Sequence, residues 1–154
     1  MKKAIAIVST GGTIEKTYNE ISGILQNHVS VLDVLLHSLE IPHITISRVA
    51  LMNKDSLEMT EEDHLIIAAT AGKLAENHDG VLVVHGTDTL QTSGEKTLAL
   101  NPNLMRPIVF TGAMRPYALR TTDAIQNITE ALLAVQILPI GVYAVFHSQV
   151  LAFP

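Results

Sequence analysis

Hydroxyl and carboxylate side chains cluster around glycines at a few points of this sequence. Thr10-Gly11-Gly12-Thr13 sets two hydroxyls around a glycine pair. Glycine permits a sharp turn and close backbone approach to a ligand. Backbone N–H groups beside a threonine hydroxyl are the parts of an acyl-transfer site, a nucleophile and an oxyanion hole. The same pair also suits an ordinary strand-to-loop turn. A phosphate or nucleotide loop at Gly11-Gly12 is the weaker reading, because neither GxGxxG nor GxxxxGK followed by Ser or Thr is present. Thr87-Asp88, after Gly86, is the second cluster. Its carboxylate can bind an amino group or orient a base, and it equally suits the N-cap of a following helix. His85 is either a general base or a buried structural histidine. Asp55-Ser56 is the third candidate, or else a turn or cap. Arg115-Pro116 reads as structural, with the proline fixing a turn and the arginine pairing with a carboxylate. Glu15-Lys16 and Glu95-Lys96 read as solvated pairs. Cys is 0 and the 7 His show no ligand spacing, so neither a metal nor a thiol nucleophile is expected.

The elements that must position these groups alternate. Short β-branched runs at 3–9, 43–51, 80–85, 107–111 and 140–146 are strand candidates. Helical patterns cover 30–39, 60–77, 89–100 and 122–137. Thr60 can cap the second of them, with Glu61, Glu62 and Asp63 in the favourable first turn. Strands alternating with helices predict an α/β fold: a flavodoxin-like, doubly wound parallel sheet in three layers, order 2-1-3-4-5. Ligands of such sheets bind beyond the carboxyl ends of the strands, near the switch point. Each cluster above follows a strand, and that order brings Thr13 near Thr87 and Asp88. The polar stretch 10–29 is the longest without periodicity, which suits a lid, a binding loop or a disordered segment.

Composition removes other classes. A length of 154 residues suits one domain. Hydrophobic residues at 47% against 16% charged exclude a disordered chain. A net charge of -5 and 4% aromatics argue against nucleic-acid binding. Lys2-Lys3 precedes only five apolar residues before Ser9, too few for a secretory leader or a membrane span. A cytoplasmic location is expected.

Thr10-Gly11-Gly12-Thr13-Ile14, Val84-His85-Gly86-Thr87-Asp88-Thr89 and Thr111-Gly112-Ala113-Met114-Arg115-Pro116 resemble the three signature segments of the bacterial-type L-asparaginase/glutaminase family. Asp55-Ser56 with Met59-Thr60 resembles its intervening substrate-binding segment. The similarity spans nearly all of 1–154 and corresponds to the N-terminal domain of two-domain members, as in a short member without the C-terminal domain. The resemblance implies hydrolysis of L-asparagine to L-aspartate and ammonia, with no cofactor. Thr13 is the implied nucleophile, Tyr18 its orienting or deprotonating partner, and Thr87 the group that polarises the amide or positions water. Asp88 is implied for the α-ammonium and Ser56 for the α-carboxylate. Gly12, Asp55, Gly86 and Ala113 complete the implied pocket. The family carries a lysine after the third segment, but no lysine or arginine follows Arg120 here. Lys16, Lys54 and Lys96 are the substitutes considered. A homodimer or larger homo-oligomer is expected, as is a second reading: a non-catalytic or weakly active amino-acid-binding module.

Overall fold

Alternation within the strands decides how the layers stack. The computed structural model describes residues 2–15 and 30–154. Its strands are β1 (Lys3–Ser9), β2 (Ile44–Ala50), β3 (Gly80–Val84), β4 (Ile108–Thr111), β5 (Val142–Phe146) and β6 (Gln149–Ala152), in sheet order β2-β1-β3-β4-β5-β6. The first five pair in parallel. The helices are α1 (Val31–His37), α2 (Glu61–Ala75), α3 (Leu90–Leu100) and α4 (Ala124–Ile137). Successive strand side chains face opposite ways. Ile5, Leu82, Val84 and Val109 therefore pack with Leu32 and Leu35 of α1 and Ile128 and Leu132 of α4. Ala6, Val8, Val83 and Phe110 pack with Ile67 of α2 and Leu90, just inside α3. Both faces are covered, which is why these strands are almost wholly apolar. The three-layer, doubly wound expectation holds, including the order 2-1-3-4-5.

Sequence and structure differ at one edge. β6 pairs antiparallel with β5, with Phe146 opposite Gln149. His147 (φ 46) and Ser148 (φ 65) form the two-residue turn. Positive φ at both positions matches the twist of a hairpin. The usual Asn-Gly or Asp-Gly signal is absent, so nothing local announced the turn. The expected element ends move inward by at most two residues. Thr60 does start α2: its hydroxyl accepts from Asp63 N at 3.2 Å, and Asp63 Oδ2 accepts from Thr60 N at 2.9 Å. No helix among the described residues is long and apolar enough to cross a membrane.

Candidate active site

Register aligns the strand ends. Ser9 pairs with Ala50 and Val84, and Val84 pairs with Thr111. The four loops therefore leave one edge of the sheet at one level. The first is stapled to β3, because Thr10 donates both its N–H (3.0 Å) and its hydroxyl (2.7 Å) to the Val84 carbonyl. Gly12 then turns at φ +93, and a Cβ there would lie 2.7 Å from both Cα and N of Gly86. Only glycine allows this approach, which seats the Thr13 turn on the loop after β3. Thr13–Glu15 is a single 3-10 turn. Glu15 anchors it, accepting Ser30 Oγ at 2.7 Å and Val31 N at 3.2 Å at the start of α1. The reading of Glu15 as solvated is thereby corrected. Its partners lie 15 and 16 residues away, out of reach of any local pattern.

Division of labour among the hydroxyls follows from these contacts. The Thr10 hydroxyl is buried and spent on the scaffold. Thr13 and Thr87 are half-buried, and their hydroxyls bond to none of the described residues. Asp88 is exposed and its carboxylate likewise has no partner among them. It is not the cap of α3: Thr89 occupies that position, with no side-chain cap bond. The Thr89 hydroxyl instead donates to the Ser56 carbonyl at 2.8 Å, tying the loop after β2 to the loop after β3. Ser56 is 1% exposed, and its Oγ lacks a partner among the described residues. A Cβ on Gly86 would stand 2.7 Å from that oxygen. A buried hydroxyl without a partner is costly unless something else satisfies it. Asp55 serves as the cap weighed from sequence, accepting Leu57 N at 3.1 Å.

The third signature segment is held by residues that sequence reasoning did not single out. Ala113 is 2% exposed. The preceding Gly112 carbonyl accepts Asn127 Nδ2 at 2.9 Å. Asp123 accepts Met114 N with both oxygens and Arg115 N at 2.9 Å. It also meets His147 Nε2 at 2.7 Å. Burial pushes the Asp123 carboxyl up, but the Met114 N–H, His147 and the Arg115 N–H outweigh it and hold the pKa at about 2. Arg115 forms no carboxylate pair among the described residues; its Nε donates to the Thr121 carbonyl at 2.6 Å. His85 is buried behind the site, not in it, and burial lowers its pKa to about 4. A largely apolar cavity of about 570 Å³ borders Thr87, lined also by Met114, Phe146, His147 and Phe153. No group of three potential metal ligands occurs among the described residues.

A family profile described as "Asparaginase, N-terminal" matches residues 4–152. The chain belongs to the asparaginase family. It is 32% identical over 152 residues to L-asparaginase 1 of Escherichia coli (strain K12), covering 96% of this chain and 44% of that protein. It is 29% identical over 128 residues to a glutamyl-tRNA(Gln) amidotransferase subunit of Archaeoglobus fulgidus, covering 80% of this chain and 30% of that protein. Among solved structures, the thermostable L-asparaginase from Thermococcus kodakarensis superposes with a TM-score of 0.80 at 26% identity. That match covers 96% of this chain and 45% of the other. The chain thus spans less than half the length of these relatives.

Within this asparaginase-family chain, the loops that carry Gly12–Thr13, Ser56 and Gly86–Asp88 meet at Gly12 against Gly86, Gly86 against Ser56 and Thr89 against Ser56, and Ala113 lies buried on the next loop. Tyr18 and Lys16 lie outside the described residues. The other two lysines considered are engaged elsewhere. Lys54 pairs with Asp63 at 2.8 Å, and Lys96 pairs with Glu61. Neither is a free cation at the Thr13 turn.

Proposed function

We propose that this site hydrolyses the side-chain amide of L-asparagine. The observation that carries the reading is the buried Ser56 hydroxyl beside Gly86, without a partner among the described residues, within a loop cluster that also presents the Asp88 carboxylate, which bonds to none of them. A zwitterionic amino acid needs one anion for its ammonium and neutral donors for its carboxylate. Asp88 serves the first need and Ser56 the second. The Thr13 oxygen attacks the amide carbon, and the carbonyl electrons move onto oxygen. Backbone N–H groups at the glycine turns stabilise that charge. Collapse breaks the C–N bond, ammonia leaves with the threonine proton, and a threonyl ester remains. Water, positioned by Thr87, cleaves the ester to aspartate and restores Thr13. Tyr18 is the proton acceptor that the family resemblance supplies for the first step.

Purified protein with millimolar L-asparagine tests the proposal through ammonia release. The expected result is release that Thr13→Ala abolishes. Release that is absent, or independent of Thr13, overturns it.

The engagement of Lys54 and Lys96 by carboxylates favours one second reading, an amino-acid-binding module on the same pocket. Saturable aspartate binding in calorimetry without ammonia release is its signature. A homo-oligomer is also proposed. Leu133 (60%), Ile137 (71%) and Ile140 (57%) stand exposed toward and beyond the end of α4, and such clustering favours association. Light scattering giving a monomer mass at micromolar concentration overturns that part.

A further inference from the structure

A buried chain of polar side chains, His64, Ser93 and His85, lies behind the site and takes no part in the reaction above. Their exposures are 4%, 0% and 1%. His85 Nδ1 lies 2.7 Å from the Gly86 carbonyl oxygen, and His85 Nε2 lies 2.8 Å from Ser93 Oγ. His64 Nδ1 lies 2.7 Å from the same Ser93 oxygen. A carbonyl only accepts, so His85 Nδ1 carries a proton and donates. Burial keeps the His85 ring neutral at pH 7, so its Nε2 is an acceptor. Ser93 has one proton and donates it there, and its oxygen accepts from the Nδ1–H of His64. With both rings neutral, this is the one proton arrangement that satisfies all three contacts. The two rings stack with centroids 6.1 Å apart at 10°, and Phe110 of β4 flanks His85 at 6.1 Å. Glu61, Asp63 and Lys96 are the charged groups acting on His64 from α2 and α3, and His64 is the titratable group acting on His85.

The chain ends on the Gly86 carbonyl, one bond from Thr87. In a trans peptide the C=O and the next N–H point in opposite directions. Fixing the carbonyl toward His85 therefore aims the Thr87 N–H away from the imidazole. That N–H has no partner among the described residues. We propose that His85 is a positioning residue for Thr87: held as its Nδ1–H tautomer by Ser93 and His64, it sets the plane of the Gly86–Thr87 peptide and so the aim of the Thr87 N–H and hydroxyl. This inference rests on Thr87 belonging to the amidohydrolase site.

The test compares His85→Asn with His85→Leu. The asparagine amide can take the place of Nδ1–H and still donate to Gly86; leucine cannot. His85→Asn is expected to retain kcat within about threefold, and His85→Leu to lose about tenfold in kcat with KM changed less than about twofold. Without substrate, the Gly86 carbonyl and Thr87 amide NMR resonances should hold in His85→Asn and move in His85→Leu. Nitrogen-15 spectra of the wild type should show His85 protonated at Nδ1 and bare at Nε2, a preference that Ser93→Ala weakens. Equal losses in both His85 variants, a wild-type Nε2–H tautomer, or a tautomer indifferent to Ser93→Ala overturns the proposal. If His85→Leu does not fold, the Ser93→Ala spectrum decides. Wild-type protein that hydrolyses no asparagine refutes the amidohydrolase reading alone, because the resonances still report on the peptide plane.

Discussion

The Asp123 carboxylate grips the backbone N–H of Met114 with both of its oxygens, at 3.0 and 2.9 Å. With Arg115 N, Asn127 and His147 it makes one buried anchor for the loop after β4, the start of α4 and the β5–β6 turn. Asp123→Asn puts an NH2 donor among donors. The expected cost is about 2–4 kcal/mol of stability, as for a buried charge network that loses its acceptor. Urea denaturation of the variant checks this, and a cost below about 1 kcal/mol contradicts the anchor.

Two acid transitions should separate in pH. His85 has a folded pKa of about 4, below its ordinary value of 6.5. Between those values the unfolded chain binds a proton that the folded chain refuses, so stability falls as pH drops from 6.5 toward 4. The loss reaches about 3 kcal/mol, and His64, also lowered by burial, adds in the same direction. Asp123 is lowered from 3.8 to about 2. Its contribution of about 2 kcal/mol is present above pH 4 and disappears as pH falls through 2. Unfolding free energies measured from pH 7 to pH 4 should slope less in His85→Asn than in wild type. Identical slopes refute the buried neutral histidine.

Thr10 and Thr13 should behave oppositely although only Gly11 and Gly12 separate them. Thr10→Ala removes a buried hydroxyl bonded to Val84 and is expected to cost about 1–2 kcal/mol. Thr13→Ala removes a hydroxyl without a partner among the described residues, so stability should stay within about 0.5 kcal/mol. Ammonia release should vanish in Thr13→Ala and persist in Thr10→Ala. Thermal melting beside the asparagine assay separates the two, and a destabilised Thr13→Ala counts against an unengaged nucleophile.

Ser56→Ala should leave stability unchanged or raise it, because it deletes a buried hydroxyl that has no partner among the described residues. Aspartate affinity in calorimetry should nevertheless drop about tenfold, the worth of one hydrogen bond to a charged group. Unchanged affinity removes Ser56 from the binding set.

Strand order and the edge where the candidate site's loops gather were legible because both follow from local pattern. Apolar runs alternating with helical periodicity imply parallel pairing, and the polar clusters at strand ends imply the edge. Thr60 as a cap and Gly12 as a turn were legible for the same reason: neighbours within a few residues decide them. β6 was not, because its turn uses positive φ at His147 and Ser148 in place of glycine.

The amino-acid sequence by itself determined the family, the alternating fold and the set of hydroxyls and carboxylates available for chemistry. Only the tertiary structure decided which of them are free. Thr10 is bound by a carbonyl 74 residues away, Glu15 is drawn to the start of α1, and His85 is sealed behind the site by Ser93 and His64. A side chain's chemistry depends on its partners and its access to water, and folding sets both through contacts that no local spacing encodes.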